Sequence, residues 1–491
     1  MPIEIPTLNF LALAPPLLVI GTALLVLLAD LAVADKRVLG YLGLAGVAAA
    51  LAVTIAMGAR PPAAFQTMAV SDGYALFFNL VFLVTAGLSL LVAIDYLERR
   101  GMQRGEYYAL LLFATSGMMI MAAATDLIVV FLGLEIMSVA LYILAGFNRG
   151  QLASAEAAMK YFILGAFASA FFLYGAALTY GATGSTNLYQ IGDWLAGKGG
   201  LAGLDPMALV GLSLLLVGFG FKVAAVPFQW WTPDVYQGAP TSVTAFMSVG
   251  AKGAGFAALI RVLHSAFAES GYSADWAVAV AVLAALSMTA GNLAALTQRD
   301  VKRMLGYSCI AHAGYIMVGV AAANQSGVRG VLFYLLAYAF MNVGAFAVAC
   351  VVERRGEFST TLQDYAGLSQ REPLLAAAMA VFMLSLTGIP PLVGFWGKLF
   401  VFRAAVEAGM SWLAILGVVN SALSAFYYLG VVVQMYMRQP AEDGDTTESR
   451  PAALTVRAAI GVAVLLAMLV TVVLGVWPAP IARLVTAMPL S

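Results

Sequence analysis

Four lysines and one glutamate interrupt stretches that are otherwise continuously apolar: Lys160, Lys222, Lys252, Lys398 and Glu135. His312 has similar surroundings, in the run Cys309-Ile-Ala-His312-Ala-Gly-Tyr. Ionisable groups at such positions are expensive and mark ion pathways. Lysine suits the work because it can give up its proton when buried, whereas arginine stays charged. A carboxylate beside a buried lysine favours the ammonium form, and its withdrawal favours the amine. Glu135 and Lys222 are therefore read as a pair whose separation switches the lysine. Glu135 lies about eight residues into its run, about 12 Å deep. Lys252 is about eleven residues into its own, near mid-membrane and too deep for easy snorkelling. Lys398 follows Pro391 by about two turns, which puts both on nearly the same helix face. His312 is read as a proton relay between the lysines, against the alternative of a satisfied core histidine. Lys160, near the start of its run, fits either a proton carrier or a lysine snorkelling to the interface.

The elements that must hold these residues are membrane helices. The chain has 491 residues, 62% hydrophobic and 10% charged, where soluble domains carry about 25% charge. Apolar runs predict an all-α polytopic membrane protein with about 14 transmembrane helices. The first, near residues 8–34, is read as an uncleaved span. It is longer than a signal core, and Met-Pro-Ile-Glu-Ile-Pro lacks a basic region. Two runs, 206–235 and 373–408, contain prolines that break them. Pro227 lacks an N–H, and its ring clashes with the carbonyl of Val223, so the seventh helix breaks beside Lys222. Thr232-Pro233-Asp234 then reads as a structural restart, with Thr232 as N-cap and Pro233 first in the helix. Gly388-Ile-Pro390-Pro391 breaks the twelfth helix ahead of Lys398. Irregular backbone at this depth survives only inside protein or along a wet cavity.

The two breaks fall in corresponding places. Helices 4–8 and 9–13 read as two five-helix repeats, each broken in its fourth helix and inverted relative to the other, with the working site at the breaks. The segments are then 1–106, 107–266, 267–437 and 438–491, the last holding a polar solvated connection and a final helix. Loop charges orient the chain. Lys36, Arg37, Arg99, Arg100, Arg104, Arg149, Arg299, Lys302, Arg303, Arg354, Arg355, Arg371, Arg438, Arg450 and Arg457 fall on one side. Arg60, Lys198, Arg261, Arg329, Arg403 and Arg483 fall on the other. The positive-inside bias places both termini outside. Arg261, His264 and Asp30 read as interfacial. Cys309 and Cys350 read as packed thiols, and the cysteine and histidine spacing argues against haem, iron–sulfur and zinc sites. A net charge of zero gives no reason to expect a nucleic-acid partner. Methionines and aromatics read mostly as packing.

The run Phe228-Gln-Trp-Trp-Thr-Pro-Asp-Val-Tyr-Gln-Gly-Ala-Pro-Thr-Ser-Val-Thr-Ala-Phe, between Lys222 and Lys252, resembles the N-type antiporter-like membrane subunits of proton-translocating NADH:quinone oxidoreductase (complex I). Gly133-Leu-Glu135, Arg303-Met-Leu-Gly-Tyr-Ser-Cys-Ile-Ala-His312-Ala-Gly-Tyr and Gly388-Ile-Pro-Pro-Leu-Val-Gly-Phe-Trp-Gly-Lys398 support it, over most of 105–440. Lysine at 398 favours the N type over the M type, which typically has glutamate there. The L type carries a long lateral helix after its bundle, and this chain ends without room for one. Gln237 stands where the family often has an acid, so no working charge is expected there.

The resemblance implies Glu135 and Lys222 as the modulating pair, Lys252 and His312 as the central hydrophilic axis, and Lys398 as the terminal proton carrier. It implies redox chemistry elsewhere: NADH, FMN, iron–sulfur clusters and quinone in other subunits, and no cofactor on this chain. Partners are then the other membrane-arm subunits, antiporter-like neighbours among them. The setting is an energy-transducing membrane, the bacterial inner membrane. Two alternatives stand beside this reading. One is a subunit of a multi-subunit monovalent cation/proton antiporter. Sodium's preference for clustered oxygens counts against it, since Glu135 is the single deep carboxylate. The other is a purely structural spacer, opposed by the cost of burying so many ionisable groups.

Overall fold

A computed structural model describes residues 9–58, 63–197, 205–267, 272–353, 361–439 and 456–487. The connection 441–450 and the loop charges Arg60, Lys198, Arg354, Arg355 and Arg450 lie outside the described residues. A 3-10 turn, Phe10–Leu13, leads into α1 (Ala14–Asp30), followed by α2 (Arg37–Gly58). A two-stranded hairpin follows, β1 (Ala63–Phe65) against β2 (Ala69–Ser71), which the helical reading did not anticipate. Next come α3 (Gly73–Arg100), α4 (Gly105–Ala123), α5 (Leu127–Ala145), α6 (Leu152–Thr183) and the short α7 (Leu188–Ala196). The first broken span is α8 (Pro206–Val223) with α9 (Trp231–Gly238). Then follow α10 (Thr241–Ala266), α11 (Tyr272–Leu296), α12 (Val301–Ala321), α13 (Gln325–Val352) and a single turn, α14 (Leu368–Arg371). The second broken span is α15 (Pro373–Thr387) with α16 (Val393–Glu407). Finally come α17 (Ser411–Met437), α18 (Ala458–Val476) and α19 (Ala479–Thr486).

Among the described residues 13 helices are long and apolar enough to cross a membrane. The span expected at 373–408 is missing from that number because its break leaves two helices of 15 residues each. Polar caps set many of the boundaries. The side chains of Asp72, Asp126, Asp205, Asp300 and Asn324 accept from first-turn N–H groups of α3, α5, α8, α12 and α13. Each meets donors that the helix itself cannot satisfy. Asp126 thereby separates α4 from α5, a division resting in the sequence on Thr125-Asp126 alone.

The bundle is layered. The most apolar window of α10 is 100% buried, and those of α12 and α13 are 94% buried, against 33% for α2 and α17. The outer helices turn Leu132, Ile136, Phe162, Phe167, Ile415 and Phe426 outward, as lipid-facing surfaces do. Lys252 belongs to α10 and His312 to α12, so both lie on helices shielded from the outside along almost their whole length.

Several loop charges are buried instead of solvated. Arg100 pairs with Glu353 at 3.1 Å, their side chains 4% and 0% exposed, and the other Glu353 oxygen accepts from Thr241 Oγ1 at 2.8 Å. Lys302 is fully buried and donates to the Ala239 carbonyl at 3.0 Å. Arg261 is likewise fully buried, not interfacial. It pairs with both Asp72 oxygens at 2.9 and 3.0 Å, donates to the Ala122 carbonyl and lies over the Tyr74 ring. A fixed guanidinium fork that meets a carboxylate and a carbonyl together can be buried without an orphaned charge.

Candidate functional site

The two breaks are built alike. At the first, Ala224 adopts the left-handed conformation (φ 61°). Its N–H and that of Ala225 turn back to the carbonyls of Phe221 and Gly220. At the second, Gly388 (φ 94°) and Ile389 repeat the pattern onto Ser385 and Leu384. Both are left-handed C-terminal caps that satisfy the last carbonyls of a helix. Around the first break, Trp231 Nε1 donates to the Phe221 carbonyl and Val226 N–H to Ser287 Oγ on α11. Around the second, Gly394 N–H donates to Ser385 Oγ. The restart of α9 differs from the sequence reading. The helix begins at Trp231, so Thr232 and Pro233 lie within the first turn, and Thr232 Oγ1 caps nothing.

Lys222 is the penultimate residue of α8, 1% exposed. Its Nζ donates to Ser138 Oγ at 2.7 Å and lies 5.6 Å from the centre of the Tyr142 ring. Ser138 passes its own hydrogen to the Leu134 carbonyl. Glu135 is one turn from Ser138 on the same face of α5. The structure does not join Glu135 to Lys222: no ion pair forms within 4.0 Å, and Glu135 Oε1 is buried with no hydrogen-bond partner. The expected pair is therefore close but open, with a neutral hydroxyl holding the lysine.

Lys252 is 3% exposed, and its Nζ has no hydrogen-bond partner. The Tyr236 ring lies 5.7 Å below it. One turn away on α10, Ser248 accepts from Asn342 Nδ2 at 2.7 Å. Asn342 also contacts Cys309, whose sulfur takes the Tyr338 hydroxyl at 2.8 Å. Cys309 is three residues before His312, and the Tyr338 ring lies 5.0 Å from the imidazole. His312 is hydrogen-bonded at both nitrogens, to Tyr334 (2.8 Å) and Tyr428 (3.0 Å). The Tyr428 hydroxyl also meets Ser308.

Lys398, in the second turn of α16, is 5% exposed. Its Nζ donates to the Thr387 carbonyl at 2.8 Å and lies 4.5 Å over the Tyr315 ring. That carbonyl is the last of α15, where a helix end carries partial negative charge suited to a cation. Tyr315 accepts from Asn292, which also meets Asn420 and Tyr427.

Lys222, Lys252, His312 and Lys398 thus lie in one buried polar seam between the two breaks. Lys160 is elsewhere. Its side chain is 41% exposed and pairs with Glu156 at 2.7 Å and Asp234 at 2.9 Å. Asp234 also takes Arg303 at 2.7 Å, and Gln237 accepts from the same guanidinium at 3.0 Å. Asp234, read from sequence as a helix-start acid, is the centre of this surface cluster joining α6, α9 and α12. Sequence reading also missed the tyrosines, asparagines and Ser138. Tyr334, Tyr338 and Asn342 recur every four residues on α13, and Asn292 and Asn420 are amides within apolar spans. That spacing is the signal that could have found them.

The seam can hold, pass and release protons through amines, an imidazole and hydroxyls. Among the described residues no group of three His, Cys, Asp or Glu could hold a metal ion. A helical membrane protein with lysines strung between two interrupted helices is an antiporter-like ion-translocating subunit. Residues 124–424 match the family described as NADH:quinone oxidoreductase/Mrp antiporter, TM, and the chain belongs to that family. It is 49% identical to NADH-quinone oxidoreductase subunit N of Trichlorobacter lovleyi over 89% of this chain and 90% of that one. It is 46% identical to the Chloroflexus aggregans protein of the same name over 98% of each. Among solved structures it is similar to a chain of respiratory complex I from Thermus thermophilus with bound aureothin (TM-score 0.80, 37% identity). That match covers 97% of this chain and 100% of the other. A chain of the Mrp complex from Dietzia sp. shares the fold (TM-score 0.85, 23% identity), covering 98% and 97%.

Proposed function

We propose that this chain is the N-type proton-translocating subunit in the membrane arm of an NADH:quinone oxidoreductase. The observation that carries the proposal is the seam Lys222–Lys252–His312–Lys398, four buried side chains bounded by two breaks, the middle two on helices shielded from lipid. Redox chemistry in other subunits supplies the energy, and this chain moves protons without a cofactor of its own. In the proposed cycle, Lys222 alternates between Ser138, where the structure holds it, and Glu135, one turn away. A carboxylate partner favours the ammonium, so closing and opening this pair loads and unloads the lysine. The released proton passes to Lys252 and, by way of water along the polar wall formed by Ser248, Asn342, Cys309 and Tyr338, to His312 and on to Lys398. Lys160 belongs to the surface cluster at Asp234 and serves this cycle from the mouth of the bundle. Segments 107–266 and 267–437 are proposed as inverted copies, preceded by 1–106 and followed by 438–491. The similar caps of α8 and α15 support that view. The side bearing Arg104 and Arg149 is proposed to face inward in a bacterial inner membrane, with both termini outside, and the partners are the other membrane-arm subunits.

The test replaces Lys222 or Glu135 with alanine in the assembled complex and measures NADH oxidation and proton uptake by inverted membrane vesicles. Loss of pumping is expected. A complex that assembles and pumps normally without either residue would refute the proposal. The antiporter alternative predicts cation/proton exchange driven by ion gradients in the absence of NADH. The high identity to the N-type relatives and the scarcity of deep carboxylates favour the redox-driven reading.

A further inference from the structure

The proposed cycle leaves open how protons reach Lys222, and a second feature of α5 supplies a route. A cavity of about 560 Å³ opens at the end of the bundle that carries Arg104 and Arg149. Its rim includes Arg104, Glu106 and Arg149, all exposed, and its floor includes Tyr142, 7% exposed. The Tyr142 hydroxyl is buried and lies beside Ser138 without completing a well-formed hydrogen bond. The centre of the same ring lies 5.6 Å from the Lys222 ammonium. Glu135, Ser138 and Tyr142 are spaced to share one helix face, so the stripe runs from the lysine's partners to the cavity floor.

We propose that this cavity is the solvent inlet that loads Lys222, with the Tyr142 hydroxyl relaying protons from cavity water to Ser138 and the lysine. The proposal rests on the proton-translocating reading above. In each transfer, a hydronium of the cavity gives one proton to the Tyr142 oxygen and reverts to water as the phenol's own proton leaves toward Ser138, directly or through a water. Ser138 exchanges in the same way and delivers one proton to the neutral Lys222 amine. Both hydroxyls end unchanged, and the lysine gains one proton.

Tyr142→Phe removes the hydroxyl alone. The ring contacts with Tyr161 at 4.8 Å and Phe162 at 5.7 Å, and the ring's place beside Lys222, remain. In the assembled complex, proton uptake by inverted vesicles is expected to fall roughly tenfold, with an enlarged solvent deuterium effect and unchanged thermal stability. A second variant, Asn148→Cys, places a thiol in the cavity wall, while Cys309 and Cys350 are both buried. A charged membrane-impermeant methanethiosulfonate applied from the side bearing Arg104 and Arg149 is expected to slow pumping relative to the unlabelled variant, with the parent complex as control. If Tyr142→Phe pumps at the parent rate while Lys222→Ala does not, the inlet is refuted and the function stands. If Lys222→Ala also pumps at the parent rate, the functional reading itself falls. If the Asn148→Cys thiol cannot be labelled from that side, a partner subunit or lipid covers the cavity and the inlet is refuted.

Discussion

The first and second breaks share a backbone device and use it differently. Lys222 precedes its break and rests on a side-chain hydroxyl, with an unpartnered carboxylate oxygen one turn away. Lys398 follows its break and rests on a main-chain carbonyl that cannot leave. The first site can therefore be switched by moving a side chain. At the second, the helix end itself is the partner. In the proposed cycle the first site is the one whose hold on a proton responds to a distant event, and the second is the constant one.

The largest effects should come from the lysines. Lys222→Ala and Lys398→Ala are each expected to lower proton uptake by vesicles more than roughly tenfold, because a missing carrier interrupts proton transfer. Lys→Arg separates the sites further. Arginine keeps a charge but does not release its proton, so Lys398→Arg should fail as Lys398→Ala does. Normal pumping by Lys398→Arg would show that the second site needs only a fixed positive charge, and the comparison would break there.

Ser138→Ala should have a smaller effect. It removes the hydroxyl under Lys222 and leaves a buried ammonium short of a partner, at about 1–3 kcal/mol. The lysine should then shift its occupancy toward Glu135, and pumping should slow several-fold, with Ser138→Thr restoring most of it. Equal pumping by alanine and serine at 138 would mean that the hydroxyl does not hold the working state.

The breaks themselves were legible because proline chemistry is local: Pro227 and Pro390-Pro391 end helices wherever they stand. The lysines were legible because charge in an apolar run is conspicuous. The partners were not. Whether Lys222 meets Glu135 or Ser138 depends on a slide of three residues, about 4.5 Å, between α5 and α8, and no periodicity in either segment sets it. Arg261 and Lys302 were misplaced for a related reason. Proximity to a span end suggests an interface, but burial depends on what packs over that end: Asp72 from α3 in one case and the Ala239 carbonyl in the other. Tyrosines were read as packing because their rings do pack, while their hydroxyls find partners on helices remote in sequence.

The finest distinction between the breaks lies in the residues that make the turn. Gly388 has φ 94°, and a Cβ there would sit 3.0 Å from Lys398 Cδ. Gly388→Ala should therefore cost about 1–2 kcal/mol of backbone strain and also push the lysine off its carbonyl. Both the thermal inactivation midpoint of the complex and pumping should fall. Ala224 already bears the left-handed strain (φ 61°) as a fully buried residue. Ala224→Gly relieves about 1 kcal/mol there, loses a buried methyl of about 0.8 kcal/mol, and adds about 0.5–1 kcal/mol of unfolded-chain entropy. The terms nearly cancel, so its inactivation midpoint should stay close to the parent value. Pumping is then the informative readout. If Ala224→Gly keeps its stability but pumps poorly, the first break works through rigidity as well as through the partners of Lys222, and the two sites are more alike than their hydrogen bonds suggest.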